Sequence, residues 1–262
     1  MARSQRFELK YVLDEHRAVA VADFLRSYLR PSEHNGSGPI RGHPVISLYL
    51  DSPDLFFFRQ GFAGHKNRIK LRIRFYDDEW ERPAFLEIKR RVGDVVLKAR
   101  AMASRGGLGE MLNRGWPYRM EESALTHGAR RRDVLDDFLH LCNIGHVRGM
   151  IYVSYFREIY EATDDEELRV TLDRRIYGSR YDGSGRLCIP RRGIRALLPF
   201  FPPDGVVLEL KFENRAPAWM RQLVREFDLE RRSVCKYCAC VQTMGLQWGA
   251  PLLPQYEEAL AM

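Results

Sequence analysis

Polar and apolar residues alternate strictly over residues 68–76, which read Arg-Ile-Lys-Leu-Arg-Ile-Arg-Phe-Tyr. Successive side chains of a strand point to opposite faces. The pattern therefore predicts a β-strand with Arg68, Lys70, Arg72 and Arg74 on one face and Ile69, Leu71, Ile73 and Phe75 on the other. Four cations on one face repel each other, and burying them without counter-charge is prohibitively costly. Two readings follow: an edge strand blunted by charge, or the wall of a site for a polyanion. Recurrence favours the second, because not every strand of a sheet can be an edge. Residues 85–91 put Glu87, Lys89 and Arg91 on one face. After a turn at Gly93-Asp94, residues 95–101 return with Lys98 and Arg100 aligned.

The same reading extends along the chain. Residues 5–13 form a strand with Arg6, Glu8 and Lys10 opposite Phe7, Leu9 and Tyr11. Asp14 is the expected N-cap of a helix whose apolar face (Val21, Phe24, Leu25, Tyr28, Leu29) ends at Pro31. A strand over 45–51 turns Ser47, Tyr49 and Asp51 one way, and a short helical turn over 55–59 sets Arg59 at the approach to the basic strand. Helical spacing holds between 104 and 142, where Arg130-Arg131-Arg132 reads as a solvated surface cluster. Strands resume over 149–161, carrying Arg157. Past an acidic tip at 163–167, residues 168–176 set Arg169, Thr171 and Asp173 against Leu168, Val170 and Leu172. A Pro-Pro-Asp-Gly break at 202–205 precedes a strand over 206–213 with Val207, Glu209, Lys211 and Glu213 on one face. An amphipathic helix over 217–227, an apolar stretch over 234–241 whose one cation is Lys236, and a short peripheral helix over 251–262 complete the chain. Glu8-x-Lys10, Glu87-x-Lys89 and Glu209-x-Lys211 repeat one spacing. The simplest fold with these properties is α+β: a closed antiparallel β-barrel of about eight strands flanked by helices. It is expected as one domain over 1–262, with its core at 5–242 and a tail at 243–262.

Composition narrows the chemistry. With 45% hydrophobic and 29% charged residues the chain is an ordinary globular one. Its net charge of +7 favours acidic partners: phosphates, nucleic acid or an anionic membrane surface. No apolar run suits a signal peptide or approaches the ~18 residues of a membrane span, so a cytoplasmic location is expected, with no transmembrane segment. Cys235-x-x-Cys238-x-Cys240 has no second pair at zinc spacing, and the five cysteines read as reduced structural thiols. P-loop, GxSxG and HExxH motifs are absent. Histidines are scattered; His65 is the one beside the basic strand. Aromatics of that strand lie on its apolar face, which argues against a base-stacking platform and hence against nucleic acid. Phosphate suits the remaining features. Guanidinium forks and lysines bind its oxygens, while Glu209, or Glu8 or Glu87, could hold Mg²⁺ or Mn²⁺. A lone Glu-x-Lys pair, by contrast, is usually an ion pair of little energetic value.

The motifs RFELKY (6–11), SLYLD (47–51), RIKLRIRFY (68–76), FLEIKRR (85–91), VVLKAR (95–100), LRVTLD (168–173), VLELKFE (207–213) and CKYCACV (235–241) occur in this order. Together they resemble the VTC (vacuolar transporter chaperone) domain, the polyphosphate polymerase branch of the triphosphate tunnel metalloenzyme superfamily. The resemblance implies a tunnel of antiparallel strands, transfer of the ATP γ-phosphoryl group onto a polyphosphate chain, and a divalent metal, Mn²⁺ or Mg²⁺. It implies Lys10, Arg72, Arg74, Lys89, Lys98, Arg157, Arg169, Lys211 and Lys236 as phosphate-binding catalytic cations, with Glu209 as metal ligand. Lys70 joins them by strand parity and Arg59 by a looser local match. Expected partners are ATP, polyphosphate, triphosphate and phosphate, with a membrane partner open. The chain departs from the eukaryotic pattern in leaving no room for SPX and transmembrane segments. It also carries Ser233 where a second lysine is expected. Hydrolysis of triphosphate or short polyphosphate, and non-catalytic polyanion binding, are the alternative readings.

Overall fold

Alternation becomes register in the computed structural model, which describes residues 6–36, 41–93, 95–117, 132–163, 168–190, 192–196 and 205–246. The strands are β1 (Arg6–Leu13), β2 (Arg30–Pro31), β3 (His43–Asp51), β4 (Arg68–Phe75), β5 (Ala84–Val92), β6 (Val95–Ala103), β7 (Arg148–Glu161), β8 (Arg169–Arg180), β9 (Ile194–Arg195) and β10 (Val206–Glu213). The helices are α1 (Glu15–Leu25), α2 (Phe56–Phe62), α3 (Arg105–Arg114), α4 (Arg132–Ile144), α5 (Ala218–Glu226) and α6 (Lys236–Thr243). Expected features at Arg130-Arg131, at the acidic tip over 164–167, at Pro202-Pro203-Asp204, at Asp94 and in the tail over 251–262 lie outside the described residues.

The chain forms two compact units. The first comprises residues 1–44, 155–176 and 195–239. Its strands pair in the order β1-β10-β8-β7, with β2 also on β7. Glu8 lies opposite Lys211, Lys10 opposite Glu209, and Glu209 in turn opposite Thr171. The apolar faces of these strands (Tyr11, Val170, Leu172, Leu208, Leu210) pack with Val21 and Leu25 of α1 and Met220 and Leu223 of α5. Asp14 caps α1 as expected, accepting from the Arg17 amide at 2.7 Å, which stabilises a helix by roughly 1 kcal/mol. Gly42 (φ +115°) lies against β7: a Cβ there would come within 2.6 Å of the Arg157 carbonyl. A side chain would be strained by the dihedral and would collide with backbone that cannot move aside.

The second unit comprises residues 45–154, 177–194 and 240–262. Its order is β7-β3-β4-β5-β6. Ile69, Leu71, Ile73 and Phe75 enter a core with Leu86 and Ile88 of β5 and with Val134, Leu135 and Phe138 of α4, as the alternation requires. Arg72 lies between Tyr49 and Glu87, and Glu87 opposite Arg100. Lys70, Lys89 and Lys98 form a second row across β4, β5 and β6.

One expectation is corrected. The closed barrel is not formed: the pairing order ends at β1 and at β6, and among the described residues no pairing joins them. Alternation sets the faces of each strand but does not dictate closure. The apolar stretch over 234–241, to which the pattern assigned no element, is helical from Lys236 onward, as α6.

Candidate functional site

In the first unit β1, β10, β8 and β7 deliver charged residues to one point because each strand keeps its polar residues in phase. That point is Glu209, 4% exposed. Its Oε1 lies 2.9 Å from Lys236 Nζ and 3.4 Å from Lys10 Nζ; its Oε2 lies 2.9 Å from Lys211 Nζ and 3.5 Å from Arg157 Nη2. Asp173, fully buried, is the second anion. It accepts from Arg157 Nε and Nη2 at 2.6 and 2.7 Å and lies 2.6 Å from Lys236 Nζ. Lys10 also reaches Glu8 at 3.1 Å. Tyr155 lies under two of the cations, its ring centroid 5.3 Å from the Arg157 guanidinium carbon and 5.2 Å from Lys236 Nζ.

Burial alone would raise the Glu209 carboxyl pKa. Lys10, Lys211, Lys236 and Arg157 outweigh it and hold the group well below the usual carboxylate range. Asp173 is likewise lowered, burial being overcome by Arg157 and Lys236. The Lys236 ammonium is raised: burial opposes its charge, but Asp173 and Glu209 prevail. Lys211 is pushed down to about 8 by burial, against the pull of Glu209. Glu209, Asp173, Lys236 and Arg157 are therefore charged at neutral pH.

A second cluster, in the other unit, forms around Glu87. Arg72 donates from Nε to Glu87 Oε2 at 2.6 Å and from Nη1 to the Tyr49 hydroxyl at 3.0 Å. Arg74 Nη1 lies 3.6 Å from the same oxygen, and Arg74 Nε donates to Ser47 Oγ at 3.2 Å. Arg100 Nε lies 3.4 Å from Glu87 Oε1. Burial opposes the Glu87 charge, but Arg72, Arg74 and Arg100 bring its pKa from 4.5 to about 2. Its stabilisation is therefore complete above pH ~4.5 and is lost as pH falls from there toward 2. Glu87→Gln should lower stability by an amount of order 3 kcal/mol at neutral pH and by progressively less below pH 4.5. Urea unfolding across that range checks this; a gap that does not shrink with acid would show the carboxylate to be unlinked to stability.

Of the residues expected at the site, Lys10, Arg157, Lys211, Lys236 and Glu209 meet directly, and Arg72 and Arg74 meet at Glu87. Lys70, Lys89 and Lys98 follow in the adjoining cross-strand row. Arg169 departs from the expected group. Its side chain is 42% exposed, and its Nη2 pairs with Glu161 at 2.6 Å. Arg59 pairs with Asp54. Asp173, Arg100 and Tyr49 belong to the clusters although the motifs gave them no role. Parity had placed all three on polar faces, which was the available signal.

Among the described residues no group of three His, Cys, Asp or Glu side chains is arranged to hold a metal ion. Glu209 and Asp173 are nonetheless hard oxygen donors of the kind Mg²⁺ and Mn²⁺ take. Such ions are commonly held by one or two carboxylates together with phosphate oxygens. The donor set fits a divalent ion that arrives with its phosphate, since four cations around Glu209 oppose a bare one. No helix among the described residues is long and apolar enough to cross a membrane.

The fold and site define an α+β protein with lysines and arginines gathered on buried carboxylates. The VTC domain family model matches residues 5–245, and the chain belongs to that family. Among solved structures, a Bacillus halodurans protein assigned only provisionally as an adenylate cyclase is similar, at 14% identity and a TM-score of 0.47. The match covers 88% of this chain and 94% of that one. No curated protein is matched by the sequence.

Proposed function

We propose that this chain is a metal-dependent polyphosphate polymerase, transferring the γ-phosphoryl group of ATP to a growing polyphosphate chain. The observation that carries the reading is the meeting of Lys10, Arg157, Lys211 and Lys236, from three strands and a helix, on buried Glu209 in a member of the VTC family.

Phosphoryl transfer depends mainly on positioning and on neutralising the charge of the transferring group. A terminal oxygen of the acceptor chain forms a bond to the γ-phosphorus as the bond to the β–γ bridging oxygen breaks, and the electron pair leaves with ADP. Lys10, Lys211 and Lys236 act as point charges on non-bridging oxygens, and Arg157 offers its fork. Asp173 keeps Arg157 and Lys236 aligned before ligand arrives, so little ordering remains to be done on binding. Glu209 would hold the Mn²⁺ or Mg²⁺, which when bound supplies Lewis-acid neutralisation of phosphate oxygens. In the second unit, Arg72, Arg74, Lys70, Lys89 and Lys98 would offer phosphate contacts of their own.

Incubation with ATP and Mn²⁺ or Mg²⁺, read by gel and ³¹P NMR, tests the assignment. Long chains support it, orthophosphate alone would make the protein a hydrolase, and no product would leave a binding module. Arg72→Ala is expected to weaken tripolyphosphate binding and turnover together, each by about tenfold, the scale of one charge-assisted contact. Titration calorimetry beside the product assay checks this, and unchanged binding would remove Arg72 from the phosphate path.

A further inference from the structure

One buried polar group beside Glu209 is unaccounted for. Thr171 is 1% exposed, and its Oγ1 has no hydrogen-bond partner among the described residues. Buried polar groups are nearly always paired, and an orphan costs roughly 1–3 kcal/mol. The hydroxyl is not on the core side of its strand. Val170 and Leu172, its neighbours on β8, enter the apolar core, so Thr171 faces the other way with Arg169 and Asp173. Directly across the ladder is Glu209, and beyond it Lys10, so Lys10, Glu209 and Thr171 form one row.

Within that row Glu209 makes no hydrogen bond to Thr171. Its Oε1 is engaged by Lys236 and Lys10 and its Oε2 by Lys211 and Arg157. What Thr171 lacks is an acceptor. The surrounding lysines and Arg157 select for an anionic one and against a neutral or cationic ligand. Phosphate oxygens are acceptors only and carry the charge those cations attract.

We propose that the Thr171 hydroxyl is a ligand-binding donor, giving a hydrogen bond to a non-bridging oxygen of a phosphoanhydride chain. The chain is either the triphosphate of a nucleotide or an inorganic polyphosphate. The proposal rests on the functional reading above and adds to it a neutral donor among the cations. The cost of the orphan hydroxyl in the free protein is then recovered when it donates to ligand.

The test uses Thr171→Val, which keeps the shape and removes the hydroxyl, and Thr171→Ser, which keeps the hydroxyl. Binding of tripolyphosphate, and in a second arm of the β,γ-imido analogue of ATP, is measured by calorimetry with the full chain in EDTA. Thr171→Val is expected to weaken binding about tenfold, equivalent to about 1.4 kcal/mol, while Thr171→Ser stays within about twofold. The ligand-free Tm of Thr171→Val should be unchanged or raised, because no hydrogen bond is lost. A loss confined to one arm would identify inorganic chain or nucleotide as the source of the oxygen, and either supports the proposal. Unchanged affinity in Thr171→Val overturns it, as does a fall in its ligand-free Tm, which would show a structural hydrogen bond. Loss of affinity appearing only when Mn²⁺ is added also overturns it, because the hydroxyl would then serve the metal. If the wild-type protein itself binds neither probe, the functional reading fails too. Binding by wild type and Thr171→Val alike sinks this inference alone.

Discussion

Glu209→Gln is expected to lower turnover of ATP to polyphosphate at least 100-fold, about 2.7 kcal/mol of transition-state stabilisation, while tripolyphosphate still binds within about tenfold of wild type. The two readouts separate because the carboxylate has two opposed roles. As the proposed donor for a divalent ion it would be needed for chemistry; as the shared partner of Lys10, Lys211, Lys236 and Arg157 it would compete with phosphate for their charge. Removing it leaves those cations facing each other, so the free protein should lose stability and recover it when polyphosphate is added, by ordinary linkage. Thermal melts with and without tripolyphosphate, alongside the product assay, check both halves. Turnover equal to wild type would remove Glu209 from the chemistry.

Asp173→Asn should cause the largest loss of stability, about 3–5 kcal/mol, the range for removing one partner from a buried ion pair. Asp173 has no exposed surface and holds Arg157 through two hydrogen bonds and Lys236 through one ion pair. Asparagine keeps the shape but leaves the guanidinium one neutral acceptor. Arg157 and Lys236 would then turn toward Glu209, already their partner, and crowd it. Urea unfolding measures the cost; a loss under 1 kcal/mol would mean that the pair contributes little beyond its own desolvation. Excess polyphosphate should recover part of the deficit, since its oxygens replace the missing anion.

Strand faces were readable because a period of two leaves little freedom once one face is apolar. β4 shows this: Ile69, Leu71, Ile73 and Phe75 are in the core as the alternation required. The partners of each cation were not readable. Lys10, Arg157, Lys211 and Lys236 come from distant stretches, and only strand order decides that they gather on Glu209 while Arg72 and Arg74 gather on Glu87. Asp173 was on the correct face with no role, because its importance depends on Arg157 and Lys236 being neighbours. Arg169 shows the converse. It lies opposite Lys211 in register, yet its long side chain swings to Glu161, a choice that like-charge repulsion favours and parity cannot express. The α6 start at Lys236 was hidden because residues 234–241 are apolar with neither a strand nor a helix period.

Gly42 ties the Arg157 cluster to a residue that bears no charge of its own. Its missing side chain lets the loop lie on the Arg157 backbone, and Arg157 is aimed at both central carboxylates. Any larger residue at Gly42 would shift β7 and misdirect a guanidinium several bonds away. Inherited damage to this protein can thus arise at a site with no titratable atom, where scanning only the ionic residues would miss it.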